Sequence, residues 1–157
     1  MTRAPRPVTL VLGVIGSDCH SVGNRILQVF FEEQGFRVVN LGVLVSQDEF
    51  IDAAIESDAQ AILVSSLYGH GELDCAGFRD RCVERGLDHV LCYVGGNLVV
   101  GKVSPEDVSR RFKAMGFDRV FPASADLDEV ARLLRDDLAR RRNASQPVEH
   151  ATPRSSP

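Results

Sequence analysis

Val8-Thr9-Leu10-Val11-Leu12-Gly13-Val14-Ile15 is followed by Gly16-Ser17-Asp18-Cys19-His20-Ser21-Val22-Gly23, and the change of character between the two runs decides the fold. The first run is apolar almost throughout and does not alternate, the pattern of a strand covered by helices on both faces. The second is short and polar, and after it Val22, Ile26, Leu27 and Phe30 recur at helical spacing until Gly35. Strand, polar turn and helix in that order make the first unit of a parallel α/β sheet, with this strand as its central member. Ligands of such sheets bind beyond the carboxyl ends of the strands, so residues 17–23 lie where chemistry is expected. His20 is the most versatile group there: a neutral imidazole can ligate a metal through one nitrogen while the other donates to a carboxylate, and Asp18 is two residues away. The same residues suit a polar capping turn, and the Asp-x-His pair alone does not decide between the two.

The rest of the chain repeats the unit. Val38-Val39-Asn40-Leu41 reads as a second strand, and Ser46-Gln47-Asp48-Glu49 has the form of a capping box ahead of Phe50, Ile51, Ala54 and Ile55. Ala61-Ile62-Leu63-Val64 is a buried-strand run ending in Ser65-Ser66-Leu67-Tyr68-Gly69-His70-Gly71-Glu72, where His70 and Glu72 sit among glycines in a loop open to solvent or a partner. Phe78, Cys82 and Val83 mark a helix closed by Gly86, and Val90-Leu91-Cys92-Tyr93-Val94 is a strand running into Gly95-Gly96-Asn97. Ser104-Pro105-Glu106-Asp107 starts another helix, Arg119-Val120-Phe121 is a brief strand, and Asp126 caps a last helix through Val130, Leu133, Leu134 and Leu138. Five strands alternating with five helices predict an α/β fold: a single doubly wound domain over residues 8–142 with a five-stranded parallel sheet, flavodoxin-like and Rossmann-like. From Asn143 the sequence turns to Ser, Pro, Thr and Ala without periodicity, and residues 143–157 read as a disordered tail.

Composition removes several classes of function. With 157 residues, 44% hydrophobic and 25% charged, the chain buries one sizeable core. A net charge of −4 gives no footprint for nucleic acid, and the arginines of residues 132–142 alternate with Asp136, Asp137 and apolar residues as on a solvated helix face. Residues 1–7 lack a signal-peptide core and no run reaches a membrane span, so a cytoplasmic location is expected. Cys19, Cys75, Cys82 and Cys92 have no zinc spacing; they read as reduced thiols, with Cys92 in the core. Gly96-Asn97-Leu98-Val99-Val100-Gly101-Lys102 nearly spells a phosphate loop, but Val103 stands where the magnesium-binding hydroxyl belongs and adjacent β-branched residues restrict the backbone. A phosphorylated receiver is excluded too, because the third and fifth strands end in Ser65-Ser66 and Pro122 instead of Asp and Lys.

Asp18-x-His20-x-x-Gly23 is followed after 41 residues by Ser65-x-Leu67 and after a further 27 by Gly95-Gly96, all at strand ends. This three-part pattern resembles the signature of the cobalamin-binding domain family. The resemblance implies His20 as the axial cobalt ligand in place of the cofactor's own base and Asp18 as the acceptor behind it. It also implies a cofactor site made by Ser17, Asp18, Cys19, His20, Ser21 and Gly23, by Ser65, Ser66 and Leu67, and by Gly95, Gly96, Asn97, Leu98, Val99, Val100 and Gly101. Residues 11–20, Ser65-Ser66-Leu67-Tyr68-Gly69, Val94-Gly95-Gly96-Asn97 and residues 111–120 further resemble the small subunits of glutamate (methylaspartate) mutases. That family implies adenosylcobalamin as cofactor and a radical interconversion of glutamate and 3-methylaspartate begun by cobalt–carbon homolysis. It also implies a large barrel subunit holding the substrate, in a heterotetramer of two small and two large chains. No residue of this chain is then catalytic by itself. The residues agree with such a division, since no arginine cluster for a dicarboxylic amino acid stands at the strand ends and one small domain offers little shelter from water. A corrinoid carrier of a methyltransferase and a cobalamin-sensing module are the alternatives, and the role of the pathway, fermentative or biosynthetic, stays open.

Overall fold

All six residues of β1 (Thr9–Val14) are buried, as an unbroken apolar run requires of a strand covered on both faces. In the structure, a computed structural model that describes residues 6–17, 20–67 and 69–145, β1 pairs in parallel with β2 (Arg37–Asn40) and with β3 (Ala61–Ser65). With β4 (Leu91–Gly96) and β5 (Arg119–Pro122) they form one parallel sheet in the order β2-β1-β3-β4-β5. This is the doubly wound order expected from the alternation of strands and helices. The middle of the sheet is β3, however, and not β1: the chain reverses its direction of travel after β2, so the later strands accumulate on the far side of β1.

Alternate strand residues feed two cores. Val11, Ile62, Val64, Cys92 and Val94 meet Phe50 and Ile51 of α2 (Gln47–Ser57), Phe78 and Cys82 of α4 (Phe78–Glu84) and Phe112 of α5 (Pro105–Ala114). Leu10, Leu12, Leu63, Leu91 and Tyr93 meet Phe31 of α1 (Ser21–Glu33) and Val130, Ala131, Leu134 and Leu138 of α6 (Leu127–Ser145). The sequence signals for helix starts are realised as hydrogen bonds. Ser46 Oγ accepts from Glu49 N–H at 3.1 Å, Ser104 Oγ from Asp107 N–H at 3.2 Å with Pro105 behind it, and Asp126 Oδ1 from Asp128 N–H at 3.0 Å. Gly35, at φ 92°, turns the chain out of α1.

Four local expectations are corrected. The stretch holding His70 and Glu72 is not an open loop: Gly71–Cys75 forms a short additional helix, α3, and Glu72 pairs with Arg111 of α5 at 2.9 Å. Five residues show no periodicity, so the sequence pattern passes over such a helix. The last helix continues through Asn143, Ala144 and Ser145, so the first residues of the stretch read as a tail are helical. Asp137 does not belong to a solvated face, because it turns inward to Arg119 and Tyr93 with only 12% of its side chain exposed. On α1, Val22 and Ile26 are 74% and 56% exposed, while the buried residues are Asn24 and Phe31. The first half of this helix stands over a cavity instead of resting on the sheet.

Candidate functional site

On the α1 and α6 side the sheet runs short of side-chain volume at its carboxyl edge. The register sets Leu12, Leu63, Tyr93 and Arg119 in one row and Val14, Ser65, Gly95 and Phe121 in the next. Two small residues in the middle of the outer row leave a cavity of about 320 Å³. Its floor is Phe31, Leu63, Tyr93, Phe121 and Val130, and Gly23, Asn24, Ile26 and Leu27 of α1 close one side. Leu67, Gly96, Pro122, Ala125 and Leu127 line the remainder, so the lining is apolar apart from a few placed groups.

One of those groups is the Tyr93 hydroxyl, and it is already engaged. It donates to Asp137, which also receives Arg119 Nε at 2.6 Å and Nη2 at 3.0 Å. Burial first and the Asp137 carboxylate second push the Tyr93 hydroxyl well above its ordinary pKa, so the floor carries no charge. The hydrogen bonds that Arg119 donates to Asp137 raise the Arg119 pKa. Cys75, elsewhere in the core, is pushed up to about 12 by burial and then by Asp74, which keeps it a thiol. Cys92, read as core, is indeed buried.

Three loops meet at the cavity's rim. In the first, Ser17 and Ser21 are exposed and His20 is the N-cap residue of α1, exposed, with no side-chain cap bond; Gly23 and Asn24 follow within the first turn and reach the cavity. Asp18 and Cys19 lie outside the described residues, and so does Tyr68. The second and third loops are zipped together: Ser66 N–H donates to Gly95 O at 3.0 Å, Gly69 N–H to Asn97 O at 2.9 Å and Gly71 N–H to Leu98 O at 3.2 Å, and His70 bridges Val99. Gly96 makes this possible. At φ 118° it stands so close that a Cβ would meet Ser66 O at 2.3 Å. The structure thus gathers Gly23, Ser65, Leu67, Gly95 and Gly96 around one space. Leu98 is instead buried in the opposite core, and Val99 and Val100 line a separate shallow cleft of about 300 Å³ with His70, Glu72 and Arg111. Gly101, at φ 91°, has open space around it.

A B12 binding domain family model matches residues 8–132. The glutamate mutase sigma subunit of Escherichia coli O157:H7 is 60% identical over 136 residues, which is 87% of this chain and 91% of that one. The chain belongs to the glutamate mutase sigma-subunit family. Among solved structures, a cobalamin-binding protein from Desulfitobacterium hafniense superposes with a TM-score of 0.66 at 23% identity, covering 83% of this chain and 59% of the other. The signal receiver domain of a response regulator from Mycobacterium tuberculosis reaches 0.63 at 13% identity, covering 86% and 98%. These two likenesses show the fold alone, and a fold shared by such different proteins leaves function to the loops.

The residues of this sigma-family chain fit a B12 cofactor on structural grounds. The cavity is largely apolar, its mouth is framed by Gly23, Gly95 and Gly96, of which Gly96 leaves no room for a side chain, and Asn24 Oδ1 is buried with no donor among the described residues. Sequence reasoning missed Asn24, Phe31, Leu63, Tyr93, Phe121 and Val130, which line this space, and Asp137 and Arg119 behind it. A signal existed in Ser65 and Gly95, small residues at strand positions that otherwise feed the core.

Proposed function

We propose that this chain is the cobalamin-carrying subunit of an adenosylcobalamin-dependent isomerase that interconverts L-glutamate and 3-methylaspartate. The substrate is held by a separate large barrel subunit, in an assembly of two small and two large chains working in the cytoplasm. The observation that carries the reading is the cavity at the carboxyl edge of β1, β3 and β4, beside the turn that bears His20. No described helix is long and apolar enough to cross a membrane.

The bound cofactor supplies a cobalt–carbon bond weak enough to break homolytically. Every other contribution comes from the protein. His20 would offer an imidazole nitrogen to the cobalt, and Asp18 would accept from the other nitrogen, fixing the tautomer and strengthening the ligand. The cavity would hold the nucleotide tail, with Ser65 and Gly95 leaving the room and Phe31, Leu63, Tyr93 and Phe121 offering an apolar bed for a flat base. Gly96 lets the second and third loops close together, so Ser66, Leu67 and Asn97 form one rim. The exposed apolar side chains at this edge, among them Val22 and Val100, are left for the cofactor and the large subunit to cover, which excludes water from the reacting centre.

Reconstitution tests the reading. Mixed with a large subunit, adenosylcobalamin and L-glutamate, the chain yields 3-methylaspartate, and omission of any one component abolishes the product. Methyl transfer from methylcobalamin without rearrangement would instead make it a corrinoid carrier. Cofactor binding with no turnover beside a competent large subunit would make it a sensor.

A further inference from the structure

Asn24 is 5% exposed, lies in the first turn of α1 and lines the cavity. The orientation of its amide is fixed from behind. Gly42 N–H donates to Asn40 Oδ1 at 2.9 Å, which makes that atom the acceptor and leaves Asn40 Nδ2 to donate to Gln28 Oε1 at 2.9 Å. The atom of Asn24 that meets Asn40 Oδ1 at 2.7 Å is therefore the donor, Nδ2. Asn24 Oδ1 is left buried, with no donor among the described residues.

The free chain uses only the Nδ2 end of this amide. Asn40 Oδ1 already receives Gly42 N–H, so it does not depend on Asn24, and an unpartnered buried acceptor loses its hydration with nothing in return. Tyr93, the polar-tipped side chain of the floor, spends its hydroxyl on Asp137. Asn24 Oδ1 is thus an acceptor held in reserve at the cavity. Its level matters too. Asn24 sits at the start of α1, and its amide reaches Asn40, which stands in the same row of the sheet as Leu12, Leu63 and Tyr93. A nucleotide tail entering this cavity with its base against Leu63 and Tyr93 would pass Asn24 on the α1 wall.

We propose that Asn24 Oδ1 accepts a hydrogen bond from a sugar hydroxyl of the nucleotide tail and so makes the cavity select a ligand with a complete tail. This rests on the cavity being the tail site. The test is titration of the full chain and of Asn24→Leu with cobalamin and with cobinamide, which keeps the corrin ring but lacks base, sugar and phosphate. Asn24→Leu weakens cobalamin binding about tenfold, leaves cobinamide binding unchanged, and unfolds at a temperature no lower than the wild type. A purely structural asparagine would give a lower unfolding temperature and an equal loss for both ligands, and that result overturns the assignment; so does unchanged cobalamin affinity. Asn24→Ala, which removes the amide without adding bulk, is read in the same way if leucine disturbs the fold. Wild-type chain that binds cobinamide as tightly as cobalamin would defeat the tail-site reading itself, whatever the variants do.

Discussion

Asp137 sits where one carboxylate serves the fold and the cavity together. Burial pushes its pKa up, but the hydrogen bonds from Arg119 and Tyr93 outweigh that and hold it below the ordinary carboxylate value. The folded-state pKa is therefore below the unfolded one, so the stabilisation is present above the unfolded value of about 4 and is lost as the pH falls through the folded value. Asp137→Asn should cost about 1.5–3 kcal/mol at pH 7, the scale of hydrogen bonds to a charged group. Urea unfolding of wild type and variant between pH 7 and pH 3 checks this. The gap between them narrows below about pH 4, and a gap that stays constant would show that the charge plays no part. None of this was legible locally. Asp137 looks like one more acid on an arginine-rich helix, and only the crossing of α6 over β4 and β5 brings it to Tyr93 and Arg119.

Strand β4 ends in two glycines with different jobs. Gly95 has no positive φ, and an added Cβ would be in ordinary contact with Phe121 at 3.5 Å. Gly95→Val should therefore fold with an unfolding temperature equal to or above that of wild type, while its side chain fills the cavity and lowers cobalamin affinity by more than about tenfold. Differential scanning calorimetry beside a cobalamin titration separates the two effects, and undiminished affinity would place the tail elsewhere. Gly96 admits no such experiment, because any side chain there drives into Ser66 O. Helix starts were the most legible elements: Ser46, Ser104 and Asp126 precede their helices and accept the bonds their sequence context promises. Ser104→Ala should cost about 1 kcal/mol by chemical denaturation, with α5 fraying from its first turn. Helix α3 was not legible, since its place is set by backbone bonds to the β4–α5 connection and not by any periodicity of its own.

Across the whole molecule, the alternation of apolar runs and amphipathic stretches was enough to derive a doubly wound sheet, and three loop motifs pointed to the edge at which the cavity lies. What they left out was depth. A cavity is the joint product of small residues on two strands and of two helices from opposite ends of the chain, and no window of sequence contains it. The end of the chain makes a separate prediction. Residues 146–157 lie outside the described residues, and their sequence offers Val148 as its one large apolar side chain, so deleting them should change neither the unfolding temperature nor cobalamin affinity. A loss of either would show that this segment docks on the domain. The central claim, that this chain binds cobalamin with His20 on the cobalt, has a direct test in electron paramagnetic resonance of the Co(II) form bound to chain carrying nitrogen-15 histidine. The account predicts that the superhyperfine splitting changes with the label and that His20→Ala abolishes it while the fold persists; splitting indifferent to the label would contradict it.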